Sequence, residues 1–234
     1  MSLWSLFYGN EGKAVFKWTH YLPIYEHHFG RFQNRPLTIL EIGCLHGGSL
    51  QMWKRYFGPF ATIVGIDIDP NALNHTEDQI HIRIGDQSDE TFLLSLLEDF
   101  GKFDIIVDDG SHACEHITKA FSVLYSHVAD NGIYTVEDLH TNYWPEYGGG
   151  LKSPASFIEL AKGLIDELNA YHTRNLVEVS EFTNSTYGIH FYDSMIFFEK
   201  GRLPRRHDLI VGTTPSGQKV WQEKQSVPYK NTRQ

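Results

Sequence analysis

Five short apolar runs recur along the middle of the chain, and each closes on an acidic residue or a glycine. They are Leu37–Ile42, Ala61–Asp67, His81–Ile84, Phe103–Val107 and Ile133–Val136. Such runs are too short for helices and lack the alternation of a half-solvated strand, so they predict strands buried on both faces. Between them lie apolar residues at helical spacing: Ser49–Phe57, then Phe92, Leu93, Leu96 and Leu97, then Ile117, Ala120, Phe121, Leu124 and Val128. Strands alternating with helices require crossover connections, which predicts an α/β fold with a doubly wound, mostly parallel sheet. Two further runs, Gly188–Tyr192 and Met195–Glu199, flank Asp193-Ser194 and predict a C-terminal antiparallel hairpin.

The flanks differ in character. Trp18, Tyr21, Leu22, Tyr25 and Phe29 recur at helical steps, with Pro23 kinking or restarting the pattern. Residues 1–35 are therefore expected to form a helical lid, 36–200 a single catalytic domain and 201–234 an extension. Asp130-Asn131-Gly132 is read as a helix stop with a glycine cap, and Ser153-Pro154 as the cap and first residue of another helix. The extension is basic, with seven Lys/Arg against two Asp/Glu, inside a chain of net charge −9. That leaves 13 basic and 27 acidic residues before it, a balance that argues against a nucleic-acid partner. No apolar stretch approaches a membrane span, and Met1–Leu6 has no basic n-region, so neither membrane insertion nor a signal peptide is expected. Two cysteines, Cys44 and Cys114, make no disulfide framework and suit a cytoplasmic location.

In open α/β sheets ligands sit beyond the carboxyl ends of the strands. The first strand ends Glu41-Ile-Gly43-Cys-Leu-His-Gly47-Gly48, with Ser49 opening the next helix. Gly43 and Gly47 let backbone approach a ligand. The second strand ends at Asp67, 19 residues after Gly48, where a carboxylate suits ribose hydroxyls. The third ends at Asp86-Gln87, suited to an adenine edge, and the fourth at Asp108. The glycine spacing is not the G-x-G-x-x-G of dinucleotide binders, and Glu41 would repel a pyrophosphate. A cationic ligand such as S-adenosylmethionine fits better than NAD.

Strands four and five should be neighbours, bringing Asp109 beside Glu137 and Asp138. Three converging carboxylates need a proton or a cation, and an all-oxygen set points first to Mg²⁺, with Mn²⁺ or Ca²⁺ as alternatives. His112 opens the next helix, and its ordinary pKa of ~6.5 suits a general base. His140, two residues past Asp138, is the rival base or a substrate contact. His112 and His116 have the i, i+4 spacing of a zinc helix, but Glu115 precedes the second histidine instead of following the first, so His116 is read as a packing group. The loop from Leu139 to Ser153 carries Tyr143, Trp144 and three glycines; with Tyr21 from the lid, its aromatics are candidate substrate contacts.

These residues carry a resemblance. Leu40–Trp53, Gly65–Pro70, Val107-Asp-Asp-Gly-Ser-His112, Val136-Glu-Asp-Leu139 and Ile189–Met195 together resemble the class I S-adenosylmethionine-dependent methyltransferases. Within them, the likeness is to metal-dependent macrolide sugar O-methyltransferases of the mycinamicin 2''-O-methyltransferase type, and cephalosporin-hydroxylase-type proteins share part of the pattern. The resemblance implies a Rossmann-like sheet, S-adenosylmethionine and Mg²⁺ as cofactors, Asp109, Glu137 and Asp138 as metal ligands and His112 as base. It further implies a small-molecule sugar or glycoside substrate, natural-product biosynthesis and a homo-oligomer. An oxidoreductase or hydroxylase on the same fold and a non-catalytic cofactor-binding partner protein are the competing expectations.

Overall fold

The structure is a computed structural model that describes residues 2–201 and 208–224. Strands β1 (Leu37–Ile42), β2 (Ala61–Asp67), β3 (Ile80–Ile84), β4 (Phe103–Asp108) and β5 (Val128–Val136) run parallel in the order β3-β2-β1-β4-β5. The hairpin β6 (Thr186–Tyr192) and β7 (Met195–Lys200) completes the seven-stranded sheet. Its second strand, β7, pairs antiparallel with β5, leaving β6 at the edge. Strand order reverses between β1 and β4, so a crevice opens beyond their carboxyl ends.

Both faces are covered, as the apolar runs require. Alternate side chains of one strand serve opposite cores. Ile39, Ile105, Ile133 and Phe197 face α2 (Tyr21–Phe29) and α3 (Gly48–Phe57), where Tyr25, Phe29, Trp53 and Phe57 interlock. Leu40, Ile106, Tyr134 and Phe198 face α4 (Glu90–Phe100), α5 (Cys114–Leu124) and α6 (Phe157–Leu168). Trp53, Tyr25, Phe197 and Phe198 are completely buried, each contributing about 1.5–3 kcal/mol of transfer free energy or more.

Four boundaries differ from the sequence expectations. The N-terminal lid is helical only in α1 (Leu3–Tyr8), in α2 and in a 3-10 turn at Gly30–Phe32. Residues 10–18 form an irregular strap instead, held by Asn10 to the Lys13 carbonyl and by Lys13 N–H to Gln51 Oε1. Pro23 falls in the first turn of α2, where its missing N–H costs nothing. α5 stops at Leu124, and Val128 belongs to β5, where it pairs with Phe103. Asp130-Asn131-Gly132 is consequently an irregularity inside β5, with Asn131 at φ 65°. α6 begins at Phe157, capped by the Ser156 hydroxyl accepting from Glu159 N–H at 3.3 Å, not at Ser153-Pro154.

A short α7 (Glu181–Ser185) leads into the hairpin. Of the basic extension, β8 (Asp208–Thr213) and β9 (Lys219–Lys224) form a separate antiparallel pair, and the remainder lies outside the described residues. Among the described residues no helix is long and apolar enough to cross a membrane.

Candidate active site

The glycine-rich turn after β1 is shaped by its own neighbours. Gly43 has φ 82°, and a Cβ there would stand 2.4 Å from the Asp109 carbonyl oxygen, so only glycine lets the β1 and β4 turns meet. A Cβ at Gly48 would stand 2.1 Å from the Ala14 carbonyl oxygen. The second glycine of the pair thus admits the N-terminal strap against the start of α3. The turn is closed by Asp67, whose Oδ2 accepts from the N–H groups of Cys44 and Leu45 at 3.1 and 3.0 Å.

Register places the acidic residues together. Asp108 pairs with Val136, so Asp109 and Glu137 leave adjacent strands side by side. Between them sits Lys17, a strap residue whose side chain is 1 % exposed. Its ammonium donates to Asp109 Oδ2 at 2.5 Å, Glu137 Oε1 at 2.7 Å and Glu41 Oε1 at 3.4 Å. Burial opposes that charge, but the combined pull of Asp109, Glu137 and Glu41 outweighs it and holds the Lys17 pKa well above its ordinary value. Glu137 also accepts from the Tyr25 hydroxyl, and burial followed by the Asp109 charge pushes its carboxyl well up. Glu41 completes its bonds with the Ser49 hydroxyl at 2.7 Å. Glu41, expected to face a cationic ligand, instead faces a cation of its own chain. Lys17 was not singled out from sequence, because a lysine between Phe16 and Trp18 carries no local pattern.

A second, more open group lies beside this one. His112 Nε2 stands 3.9 Å from Asp109 Oδ1 and 3.8 Å from Asp138 Oδ2. Both His112 and Asp138 have left-handed backbones, φ 59° and 53°. Such conformations cost about 1–3 kcal/mol each and persist where surroundings enforce them. Here the buried Thr141 hydroxyl reaches both carbonyls, Asp138 at 2.8 Å and His112 at 3.2 Å. The Tyr21 hydroxyl donates to Asp138 Oδ1 at 2.7 Å.

Sequence and structure comparisons point the same way. A methyltransferase-domain family matches residues 40–134. The chain is 39 % identical over 199 residues to the 8-demethyl-8-(2-methoxy-alpha-L-rhamnosyl)-tetracenomycin-C 3'-O-methyltransferase of Streptomyces olivaceus, covering 79 % of this chain and 50 % of that protein. It is 34 % identical over 230 residues to the mycinamicin VI 2''-O-methyltransferase of Micromonospora griseorubida, covering 84 % and 54 %. The solved MycE methyltransferase from the mycinamycin pathway, in complex with Mg, SAH and mycinamycin VI, superposes with a TM-score of 0.73 at 34 % identity, over 81 % of this chain and 52 % of that one. The chain carries a methyltransferase domain over residues 40–134. It spans about half the length of the curated relatives it matches.

In this methyltransferase domain a cleft of about 410 Å³ lies at the strand ends. Gly43, Ser49, Asp67, Asp86 and Gln87 line it, and so do Asp109, His112, Glu137 and Asp138. Glu41, Gly47 and Asp108 are buried outside the lining. Asp86 Oδ1 is held by Ser88 N–H and hydroxyl, which lowers its pKa. Gln87 spends its amide inside the fold, donating to Asp108 at 3.1 Å and accepting from Ser111 N–H at 2.7 Å. His140 bonds the Ser194 hydroxyl at 2.6 Å and packs between Trp18 and Trp144. Tyr143 and Trp144 are half-exposed and do not line the cleft. α5 begins at Cys114, so His112 and His116 do not share a helix, and His116 bonds Ser111 instead.

The donor set suits both groups the resemblance implies. Asp109, Asp138 and His112 offer ligand atoms within 4.8 Å of one another, as do Glu41, Asp109 and Glu137. The second set is filled by Lys17; the first is open to the cleft and presents hard carboxylate oxygens, which fits a divalent ion. Three carboxylates share the Lys17 ammonium, and Asp138 beside His112 adds a fourth, an acidic surplus that favours such an ion. Asp67 Oδ2 accepts from Cys44 and Leu45 and Oδ1 from Asp69 N–H, which leaves Oδ1 a lone pair for a ribose hydroxyl.

Proposed function

We propose that the chain is an S-adenosylmethionine- and Mg²⁺-dependent O-methyltransferase acting on a sugar hydroxyl of a glycosylated natural product. The observation that carries the reading is His112 Nε2 poised 3.8–3.9 Å from both Asp109 and Asp138 at the cleft mouth. Asp109 and Asp138 would hold the ion, and Glu137 would join as the third carboxylate on exchanging the Lys17 ammonium for the metal. Bound there, a divalent ion supplies Lewis acidity that lowers the pKa of a sugar hydroxyl. His112 Nε2 lies where it can take the hydroxyl proton, and Asp109 and Asp138 beside it stabilise the imidazolium that results. Gly43, Ser49, Asp67 and Asp86 bind and orient the methyl donor, with Gln87 bracing Asp108 and Ser111 behind them, while Phe16 and Trp18 of the strap line the cleft. Holding both reactants in line accounts for a large share of the acceleration.

The named acceptors of the matched relatives, a rhamnosylated tetracenomycin and a macrolide glycoside, support a glycoside acceptor. Buried thiols at Cys44 and Cys114 support a cytoplasmic location, and a homo-oligomer completes the reading. The test is labelled-methyl transfer with Mg²⁺ over free, nucleotide-linked and glycosidic sugars. Excess EDTA should abolish transfer, and His112→Asn should lower it about 10²–10⁴-fold. Full activity in EDTA would remove the metal from the reading. Tight NAD binding without S-adenosylmethionine binding would overturn it altogether.

A further inference from the structure

Away from the cleft, three potential ligands converge from three elements. His28 lies on α2, His190 on the edge strand β6 and Glu199 on β7. Their ligand atoms lie within 4.8 Å of one another. We propose that His28, His190 and Glu199 form a zinc-class metal site that fastens the lid helix to the edge hairpin.

The spacing suits one ion. Tetrahedral zinc with bonds of roughly 2.0–2.2 Å holds its donors roughly 3.3–3.5 Å apart. His28 Nδ1 stands 3.1 Å from Glu199 Oε1, and His190 Nε2 stands 3.5 Å from Glu199 Oε2, so the two imidazoles flank the two oxygens of one carboxylate, and one donor from each residue lies within 4.8 Å of the others. His28 is already oriented as a ligand. Its Nε2 meets the Tyr192 hydroxyl at 2.9 Å, its Nδ1 turns to Glu199 Oε1 at 3.1 Å, where an ion would replace the direct hydrogen bond, and its ring stacks on Phe197 at 4.3 Å. An outer hydrogen bond on the second ring nitrogen is the usual support of a metal-bound histidine.

His190 adds to this. Its Nε2 atom is buried and faces Glu199 Oε2 at 3.5 Å without the geometry of a hydrogen bond. A Cβ on Gly188 would stand 3.2 Å from that nitrogen, so the glycine keeps space beside it. Arg31 competes for Glu199 Oε1 at 3.6 Å, but its guanidinium is half-exposed and can turn to solvent. Two imidazoles and one carboxylate select zinc over magnesium, whereas the oxygen donors of Asp109 and Asp138 do the reverse. The two sites are therefore sorted by donor chemistry. The same helix carries Tyr21 and Tyr25, which donate to Asp138 and Glu137, so an ion here steadies the helix that orients the cleft carboxylates.

The experiment is calorimetric titration of the metal-stripped full chain with Zn²⁺ in excess Mg²⁺, alongside the visible spectrum with Co²⁺. One equivalent is expected, with tetrahedral Co²⁺ bands and a rise in Tm. The binding step should vanish in His190→Asn and Glu199→Gln and persist in His112→Asn, with circular dichroism confirming that each variant is folded. Absence of Zn²⁺ uptake, or uptake lost only in His112→Asn, overturns the proposal. If the variants do not fold, a Co²⁺ spectrum of the unaltered chain without tetrahedral bands overturns it as well.

Discussion

The ammonium nitrogen of Lys17 lies 2.7 Å from Glu137 Oε1, across 120 residues of chain. Mutual repulsion of the strand-end carboxylates calls for a cation, and the first cation in the cluster belongs to the protein. Lys17 also joins the strap to β1, β4 and β5, because Glu41, Asp109 and Glu137 leave those three strands. The strap is thus anchored by charge at Lys17 and by contact at Gly48.

Replacing Lys17 with Met should destabilise the fold by about 3–5 kcal/mol near neutral pH, since it strands buried carboxylates. Burial and then the Asp109 charge already raise the Glu137 pKa, and loss of the ammonium raises it further. The folded state then binds more protons than the unfolded chain, so stability falls as pH rises. Urea titrations should show a smaller deficit at pH 5 than at pH 8, partly recovered by Mg²⁺. A deficit independent of pH would mean that these carboxylates do not feel Lys17.

Asp108 gives a pH dependence of its own. Burial pushes its carboxyl up to about 7, against the hydrogen bonds from Gln87, Gly110 and Tyr134. With the folded pKa above the unfolded value, the contribution is complete below pH ~3.9 and is lost as pH rises through about 7. The shift corresponds to about 4 kcal/mol. Asp108→Asn should flatten the stability profile between pH 4 and pH 7 and leave the variant relatively more stable above it. An unchanged slope in denaturant titrations would place the titration elsewhere.

Gly48→Ala should displace the strap without unfolding the sheet. The added methyl would meet the Ala14 carbonyl at 2.1 Å, and a backbone neighbour cannot rotate away. Trypsin should then cleave at Lys13 or Lys17 faster in the variant than in the unaltered chain. Equal protection would show that the strap is not seated on Gly48.

Thr141→Val should act on the site without touching a ligand. Its hydroxyl holds the carbonyls of His112 and Asp138, and both residues sit in left-handed conformations. Loss of that hold should lower methyl transfer about 10–100-fold through misplacement of His112. S-adenosylmethionine affinity should stay unchanged, because Thr141 does not line the cleft. A variant with altered cofactor affinity and unaltered turnover would contradict this role.

The parallel sheet was legible because its signals are local. Leu37–Ile42 and Phe103–Val107 are continuous apolar runs, and the residues that close each strand sit at its carboxyl end whatever the rest does. The juxtaposition of Asp109 with Glu137 followed from strand adjacency alone. Boundaries resting on one capping signal moved: Ser156 outcompeted Ser153 for α6, and Asn131 lies within β5 instead of closing α5. Gln87 was read as an adenine contact, yet its amide is committed to Asp108 and Ser111 from the β4 side, partners about twenty residues away.

The sequence by itself determined the α/β alternation, the cleft at the strand ends, and the acidic and histidine side chains that arm it. Periodicity and strand-terminal residues encode these, and both are properties of short segments. Packing between distant segments sets which donor meets which carboxylate. Lys17 reaches Glu137, Tyr21 reaches Asp138 and His28 reaches Glu199 because an N-terminal strap and helix fold back across the sheet. Such pairings depend on packing between segments more than a hundred residues apart, and no spacing along the chain records them.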